Sequence, residues 1–398
     1  MNDEIVILGA ARTPLGAFQG LFSRLPATEL GAVAITAVLK RANLAPDEID
    51  EVLMGNVLSA GLGQAPARQA ALGAGLPTAT PCTTISKVCG SGMKAVIAAH
   101  DAIRAGSIQT AIAGGMESMT NAPYLLPQGR AGARIGHSEM LDHMMLDGLE
   151  DAYDIAPDGK RRSMGTFGED CAAKYGFSRA DQDAFAIESV TRAKAAAASG
   201  AFDWEIAAVT VKSRKGEVTI TADEGPERID PKRIPTLRTA FKADGTITAA
   251  SSSSINDGAA ALVLASETHA KALGQTPLAR IIAHSAYAGE PGWFTTAPVH
   301  AKHRLLEKTG WAIQDVDLFE INEAFACVPM AAMADLNIPR DKLNVHGGAV
   351  ALGHPIGASG ARILVTLLGA MKAKQAKRGI ASICIGGGEA TAIAIEML

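Results

Sequence analysis

The sequence contains 398 residues, of which 48% are hydrophobic and 20% charged, with a formal net charge of −4. This apolar content is sufficient for buried cores and excludes dominant disorder, and the lack of a basic excess argues against nucleic acid as the main partner. Only 4% of the residues are aromatic and 41 are glycine, a composition that is typical of layered α/β proteins. The length of the chain predicts about two to three domains.

The chain ends and the cysteines indicate the compartment. The N-terminus Met1-Asn2-Asp3-Glu4 is acidic, and the short apolar run after it lacks the cationic flank of a signal peptide. No run approaches the roughly 18 apolar residues of a membrane span. The five cysteines are too sparse for a disulfide framework and form no CxxC pair for zinc. We therefore expect a soluble cytoplasmic protein without a structural metal or a membrane anchor.

The N-terminal part of the chain alternates predicted strands and helices. Short apolar runs bounded by turn residues predict strands at 4–8, 51–57, 81–86 and 110–113. Apolar residues at helical spacing predict helices at 28–42 and 92–105. Thr28 is the expected N-cap of the first helix, and Gly106 is expected to end the second.

The last third of the chain repeats this order. Strands are predicted at 278–288, 317–321 and 380–385, and helices at 298–309, 325–336 and 359–373. Both parts place a Ser-Gly pair before a helix and a Gly-Gly pair after the next strand: Ser91-Gly92 with Gly114-Gly115, and Ser359-Gly360 with Gly387-Gly388. We interpret this as a duplicated α/β unit, formed by residues 1–119 with 248–272 and by residues 273–398. Its site should lie where strand ends of both copies meet.

Residues 120–247 differ from both copies. They are rich in Met, Gly, Asp and Arg, have few long apolar runs, and include three prolines between 223 and 235. A helix is predicted at 178–197, with Ser178 as its N-cap. Long insertions on α/β scaffolds commonly carry binding or assembly surfaces, so we interpret this region as an inserted loop domain.

Cys89 is the first candidate for chemistry. It lies in Lys87-Val88-Cys89-Gly90-Ser91-Gly92, between a predicted strand and a predicted helix. The dipole and free N–H groups at a helix N-terminus favour a thiolate. A turn from strand to nucleophile to helix also lets the next backbone amides hold an oxyanion. A small buried structural residue is the alternative, and the pattern alone leaves both open.

Three further residues extend the candidate site. His354 lies in a rigid Gly-His-Pro loop before a helix, where it suits a base or an oxyanion donor; a packing turn is the alternative, and His346 competes for the role. Cys384 ends a strand of the second copy, just before Gly386. Asn322 also follows a strand and would hold a water or a ligand carbonyl, or cap a helix. The sequence contains no GxSxG elbow, Walker A loop or Rossmann glycine motif, which excludes those enzyme classes.

Four motifs, in this order along the chain, resemble those of the thiolases, and within them the acetyl-CoA acetyltransferases. They are Cys89-Gly90-Ser91, Asn322-Glu323-Ala324-Phe325, Gly353-His354-Pro355 and Cys384-Ile385-Gly386. The resemblance covers essentially the whole chain and implies a five-layer αβαβα sandwich of two similar halves with an inserted loop domain. It also implies a homo-oligomer, with a tetramer favoured over a dimer, because the tetrameric members assemble through a loop like residues 120–142.

The resemblance implies reversible Claisen condensation of two acetyl-CoA to acetoacetyl-CoA and CoA. Cys89 would be activated by His354 and carry the acyl group as a thioester. Cys384 would remove the α-proton of the second acetyl-CoA. His354 and a water held by Asn322 would stabilise the enolate oxygen, and the N–H groups of Cys89 and Gly386 would form a second oxyanion hole. CoA thioesters are the implied substrates, with no tightly bound cofactor and no metal.

The resemblance also implies substrate contacts and shows two departures. Ser253 matches a serine that binds the pantetheine arm, and Arg228 resembles a position that meets the adenosine phosphate. Ser163 stands before Met164 where short-chain members often have His. Phe294 stands where one branch has a Met that closes the acetyl pocket. We expect Met164 and Phe294 at the acyl site, with Phe294 closing it for acetyl groups.

Other functions remain open at this point. A degradative 3-ketoacyl-CoA thiolase would use the same residues on longer or dicarboxylic chains. A decarboxylating ketoacyl synthase would share the duplicated fold but use a Cys-His-His site, and Cys384 argues against it. A non-catalytic scaffold would have lost Cys89, His354 or Cys384, and all three are present.

Overall fold

The structure is a computed structural model that describes residues 3–157, 159–213 and 216–398. Met1 and Asn2, part of the predicted acidic N-terminus, lie outside the described residues. The strands are β1 (Ile5–Arg12), β2 (Gly16–Ala17), β3 (Glu51–Gly55), β4 (Cys82–Ile85), β5 (Thr110–Ser118), β6 (Tyr124–Leu125), β7 (Leu141–Asp142), β8 (Glu150–Ile155), β9 (Arg161–Ser163), β10 (Val209–Ser213), β11 (Gly216–Ile220), β12 (Asn256–Ser266), β13 (Ala279–Ala288), β14 (Leu318–Ile321), β15 (Arg378–Ile385) and β16 (Glu389–Met397). The helices are α1 (Ala27–Ala42), α2 (Pro66–Gly73), α3 (Ser91–Arg104), α4 (Met164–Tyr175), α5 (Arg179–Ala198), α6 (Glu224–Arg228), α7 (Glu267–Ala272), α8 (Ala297–Thr309), α9 (Cys327–Leu336), α10 (Ala349–Leu352) and α11 (Ile356–Lys374).

Ten strands form a hydrogen-bonded sheet with two similar halves. The strand order is β14-β15-β16-β13-β1-β12-β5-β3-β4, and β2 pairs with β12. In the first half β3 is parallel to β5, and β12 and β1 follow antiparallel. In the second half β14 is parallel to β15, and β16 and β13 follow antiparallel. The halves join where β1 pairs with β13. The matching order supports a duplicated unit.

The side chains of the sheet enter three separate cores. Ile5 and Ile7 of β1 pack with α3 and α11 between the two halves, whereas Val6 and Leu8 pack under α1 and α2. This split follows from the alternation of side chains along a strand. A third core lies between the outer face of the second half and the helices α8 and α9. Helices and sheet halves therefore alternate in five layers.

The central helices α3 and α11 touch at the glycines of the repeated Ser-Gly pairs. A Cβ on Gly92 would lie 2.9 Å from the backbone N of Ala361, and one on Gly360 would collide with Met93. Only glycine permits this approach. Helix α11 is long and apolar enough to cross a membrane, but 89% of its apolar window is buried inside the protein. Its composition is that of a core helix between two layers.

Several elements begin or end where the sequence did not predict. Strand β5 continues past the predicted end at 113 to Ser118. Its Gly114 lies against the backbone of Ala260 in β12, where a Cβ would collide. Helix α1 begins at Ala27 after Pro26, with no side-chain cap, so the predicted Thr28 cap is wrong. A proline fixes φ at this helix start without a side-chain hydrogen bond. Ser178 caps α5 as predicted.

The region between β5 and β12 packs on both halves of the layered body, with Val209 of β10 in the core under α1 and α2 and Phe167 of α4 in the core beside α9. Its strands pair locally, β6 with β7, β8 with β9 and β10 with β11. Its helix α4 packs on α9, and its helices α5 and α6 pack on α10. The inserted region therefore covers segments of the second half that follow β14.

Candidate active site

Cys89 lies at a tight turn between β4 and α3. Its neighbour Val88 has a φ of 44°, a left-handed conformation that β-branched residues rarely adopt, so the turn is strained. The Ser91 hydroxyl holds the turn by accepting from the N–H of Lys87 at 2.8 Å and donating to the carbonyl of Val88 at 2.6 Å. The half-buried Cys89 is therefore fixed in place rather than carried on a mobile loop.

Strand ends of both halves converge at this turn. A Cβ on Gly90 would collide with Ile385, the last residue of β15. The backbone N–H groups of Gly386 and of Cys89 itself lie close enough to the Cys89 sulfur to lower the pKa of its thiol. Cys384 is fully buried near the end of β15 and its thiol interacts electrostatically with that of Cys89. The site thus contains two thiols and a pair of converging N–H groups.

Burial keeps both thiols protonated before substrate binds. Loss of hydration raises the pKa of Cys89 to about 11, although the N–H groups of Gly386 and Cys89 oppose this. Burial, and then the neighbouring Cys89, raise the pKa of Cys384 well above its usual range. The sequence pattern favours a thiolate at the helix N-terminus, whereas burial in the folded site raises the pKa of the thiol. Each thiol needs a proton acceptor or a stabilising charge.

His354 presents one ring nitrogen to the site and anchors the other. Its Nδ1 lies 2.6 Å from the Ser359 hydroxyl, which lies 2.9 Å from the carbonyl oxygen of Pro355. Its buried Nε2 has no partner among the described residues. When Ser359 donates to Pro355, Nδ1 carries the proton and Nε2 accepts; when Ser359 donates to Nδ1, Nε2–H donates. Burial lowers the pKa of His354 to about 3, so the ring is uncharged at neutral pH and exists as one or the other of these two tautomers.

Glu117, a residue to which the sequence assigned no role, holds the histidine loop. Its buried carboxylate accepts from the backbone N–H of Gly357 at 2.9 Å, Val57 at 3.0 Å and Leu58 at 3.1 Å. It also accepts from the side-chain amide of Asn56 at 2.8 Å. Glu117 thereby ties the start of α11 to the segment after β3. The sequence signal for this role was an acidic residue near the end of an apolar, glycine-containing strand, β5.

We expect Glu117→Gln to change how the free energy of unfolding depends on pH. Burial raises the pKa of Glu117 from 4.5 to about 7. The fold therefore holds this proton more tightly than the unfolded chain, and wild-type stability falls as the pH rises between these values, by about 3 kcal/mol. Glutamine removes this contribution. Urea denaturation at several pH values should show a shallower fall for the variant, whereas parallel curves would contradict the assignment.

Asn322 offers an unpartnered amide. Its backbone N–H donates to the carbonyl of Ser382 at 3.0 Å, which places it beside β15. Its Nδ2 and Oδ1 are buried and have no partner among the described residues, a state that calls for a water or ligand. Helix α9 begins only at Cys327, so Asn322 does not cap it. The carboxylate of the adjacent Glu323 is already hydrogen-bonded within the protein, since it accepts from the Ser189 hydroxyl at 2.7 Å.

An apolar cavity of about 280 Å³ opens onto His354. Its lining comprises Met119, Met145, Leu149, Ser163, Met164, Gly165, Phe241, Ser252, Ser253, Ser254, Ile255, Ala324, Phe325, His354 and Ile356. Ser163, Met164 and Ser253 are thus on its wall. Phe294 is not on this wall. It is buried, with its ring 6.1 Å from that of Phe167, and its place at the acyl pocket stays a prediction. His346 is also off the wall, edge-on to Phe202.

A second cavity of about 520 Å³ adjoins the first, since Ser254 and Ile255 line both. Arg228 and Arg233 lie on its wall. Arg228 is 57% exposed and pairs with Glu224 at 3.0 Å. An outer cavity with two cations that adjoins an apolar inner cavity walled by His354 fits a long substrate with an anionic end and a reactive acyl end.

Two thiols beside a pair of N–H donors, a neutral histidine and an unpartnered amide are an arrangement that suits an acyltransferase built on a duplicated α/β fold. The family model of the thiolase N-terminal domain matches residues 5–268, and that of the thiolase C-terminal domain matches residues 275–397. The chain therefore belongs to the thiolase family, as predicted. The predicted boundary at residue 273 lies between the two matched segments and stays a prediction.

Curated relatives match over the full length of the chain. An acetyl-CoA acetyltransferase of Schizosaccharomyces pombe is 47% identical over 100% of this chain and 99% of that protein. Acetyl-CoA acetyltransferase 2 of Arabidopsis thaliana is 49% identical, with 99% and 97% covered. The crystal structure of Acat5 thiolase from Ascaris suum in complex with coenzyme A has a TM-score of 0.93 and 42% identity, with 99% and 100% covered. The predicted fold class is confirmed.

Proposed function

We propose that the protein is an acetyl-CoA acetyltransferase, which condenses two acetyl-CoA to acetoacetyl-CoA and CoA and catalyses the reverse thiolysis. The observation that carries this is the pairing of Cys89 and Cys384 in one buried site beside two unpartnered polar groups, His354 Nε2 and the Asn322 amide. The full-length similarity to proteins named acetyl-CoA acetyltransferase supports the same activity. The degradative alternative is not favoured.

In the first half-reaction the Cys89 sulfur attacks the thioester carbonyl of acetyl-CoA. Its proton passes to His354 Nε2, which is an acceptor when Ser359 donates to Pro355, and then to the departing sulfur of CoA. The converging N–H groups of Cys89 and Gly386 stabilise the charge on the carbonyl oxygen, at about 3 kcal/mol for one such donor. One thioester replaces another, so the acetyl-enzyme stays reactive.

In the second half-reaction Cys384, after its thiol proton has been released to solvent, acts as a thiolate and removes a proton from the methyl group of the next acetyl-CoA. The enolate oxygen accepts from His354 Nε2–H, the tautomer in which Ser359 donates to Nδ1, and from a water held by Asn322. The enolate carbon attacks the acetyl group on Cys89, and the thiolate of Cys89 departs. Both roles of His354 thus use the same nitrogen with opposite hydrogen-bond polarity.

Substrate contacts and assembly are part of the proposal. We propose that Arg228 meets the CoA phosphates in the outer cavity and that Ser253 lies beside the pantetheine arm, with no tightly bound cofactor. Large apolar side chains are strongly exposed in the loop of residues 120–142, among them Tyr124, Ile135 and Met140. Exposed apolar side chains favour association, so we propose a homotetramer formed through this loop. We also propose that the protein acts in the cytoplasm.

Thiolysis assays test the substrate. We expect CoA-dependent cleavage of acetoacetyl-CoA to exceed that of 3-ketodecanoyl-CoA by about tenfold or more at matched concentrations, because the inner cavity has a volume of only about 280 Å³ and is walled by Met145, Leu149 and Phe241. A preference for the longer substrate would move the protein to the degradative class. Turnover of neither substrate would refute the proposed activity.

A further inference from the structure

Lys302 is a buried lysine that the proposed mechanism does not use. It lies on α8, is 0% exposed, and its Nζ donates to the Ser382 hydroxyl at 3.0 Å. Among the described residues it forms no ion pair with a carboxylate, and the charge that acts on it is that of Cys384. A buried ammonium without a counter-charge is unfavourable, so its presence requires a reason.

The ammonium shares an apolar space with the Cys384 thiol. Ser382 and Cys384 are two residues apart on β15, so their side chains leave the same face of the sheet. That face packs against α8, where Ala301 and Leu305 flank Lys302 in the core that contains Cys384. The side chains of this core are mostly apolar, so a charge two positions along the strand is weakly screened. Burial lowers the pKa of Lys302 to about 7.

The other titratable groups that face Cys384 are thiols. Cys89, from the turn before α3, and Cys171, from α4, each raise the pKa of Cys384 by repelling its thiolate, whereas Lys302 lowers it. Cys327, at the start of α9, also interacts with Cys384. Lys302 therefore supplies positive charge where the neighbouring groups disfavour an anion.

We propose that Lys302 is a positioning residue for the α-proton transfer, in which its ammonium, anchored on Ser382, stabilises the thiolate of Cys384. This rests on the proposed function. The Cys384 thiol first releases its proton to water. The α C–H bond of the bound acetyl thioester then breaks, its electron pair forms the enolate, and its proton bonds to the Cys384 sulfur. Lys302 keeps its own protons throughout.

Lys302→Met tests the proposal, because it keeps the length of the side chain and removes the charge. Peptide-resolved alkylation with iodoacetamide should show the Cys384 thiolate forming about one pH unit higher than in the wild type. Deuterium exchange from solvent into the methyl group of acetyl-CoA should slow about tenfold, while acetylation of Cys89 keeps its rate. The melting temperature should rise, because an unpaired buried charge is removed. Lys308→Met, at an exposed lysine of the same helix, should change none of these.

The outcomes separate the possibilities. An unchanged alkylation profile of Cys384 would overturn the proposal, as would equal losses of acetylation and exchange together with a lower melting temperature. If Lys302→Met does not fold, Ser382→Ala keeps the lysine but releases it, and should shift the profile in the same direction by less. A wild type that neither acetylates Cys89 nor cleaves acetoacetyl-CoA would refute the proposed function, while the alkylation profiles would still decide the role of Lys302.

Discussion

Cys89→Ala is expected to abolish the acetyl-enzyme and to lower the rate of thiolysis by about 10⁴-fold or more. The tight turn between β4 and α3 places the Cys89 sulfur at the converging N–H groups of Cys89 and Gly386, and no other described thiol shares that position. Without the sulfur, CoA would have to attack acetoacetyl-CoA directly, with no covalent intermediate. Intact mass spectrometry after brief incubation with acetyl-CoA measures the adduct.

A matched control comes from the other half-buried thiol of the same region. Cys82 is the first residue of β4, at the opposite end of that strand from the Cys89 turn, and its Sγ lies 3.4 Å from the carbonyl oxygen of Thr80. Cys82→Ala should acetylate and turn over like the wild type. An acetyl adduct that persists in Cys89→Ala would show that another residue is the nucleophile and would refute the assignment of Cys89.

The positions of the main site residues could be predicted because they occupy strand ends. Cys89, Asn322 and Gly386 each follow a short strand whose apolar run and flanking glycine or acidic residues are visible in the sequence. Strand ends of corresponding units meet at one edge of a layered α/β fold. The duplication could also be recognised, because the same Ser-Gly pair occurs in both copies, and its glycines, Gly92 and Gly360, lie where the two central helices touch.

The protonation states could not be predicted, because they depend on burial by distant parts of the chain. The local pattern around Cys89 favours a thiolate, yet residues from α11, β15 and the inserted region exclude water and raise its pKa. The same holds for His354, whose partner Ser359 is five residues along but whose low pKa comes from tertiary burial. Desolvation is a property of the assembled fold, whereas the helix dipole is local.

Two charged residues stand out in the sequence, but only the fold identifies the groups that they contact. Lys302 interrupts the apolar face of α8 formed by Ala301 and Leu305, and Glu117 interrupts the buried strand β5. A charge on a buried face indicates a partner but does not identify it. The partners proved to be a serine of a strand packed against α8 and backbone amides of two separate segments.

Cys384→Ala is expected to retain acetylation of Cys89 and to lose condensation and α-proton exchange, by about 10⁴-fold. The two thiols are adjacent but their surroundings differ. Cys89 faces the N–H pair, whereas Cys384 is fully buried on the face of β15 that carries Ser382. Acyl transfer to Cys89 needs a proton acceptor, which His354 Nε2 supplies without help from Cys384.

Two measurements on one variant separate these steps. Mass spectrometry should show the acetyl adduct of Cys384→Ala at the wild-type level, and NMR of acetyl-CoA in deuterated buffer should show no exchange of its methyl protons. The buried Cys171→Ala variant, a thiol of α4 in the same core, should retain both signals and serves as the control for a changed core. Methyl exchange that persists in Cys384→Ala would assign the base to another group, with His354 the remaining candidate at the wall of the inner cavity. Loss of acetylation as well would mean that the two thiols act as one unit, because removal of a proton-transfer group alone leaves the nucleophile, its N–H donors and His354 in place.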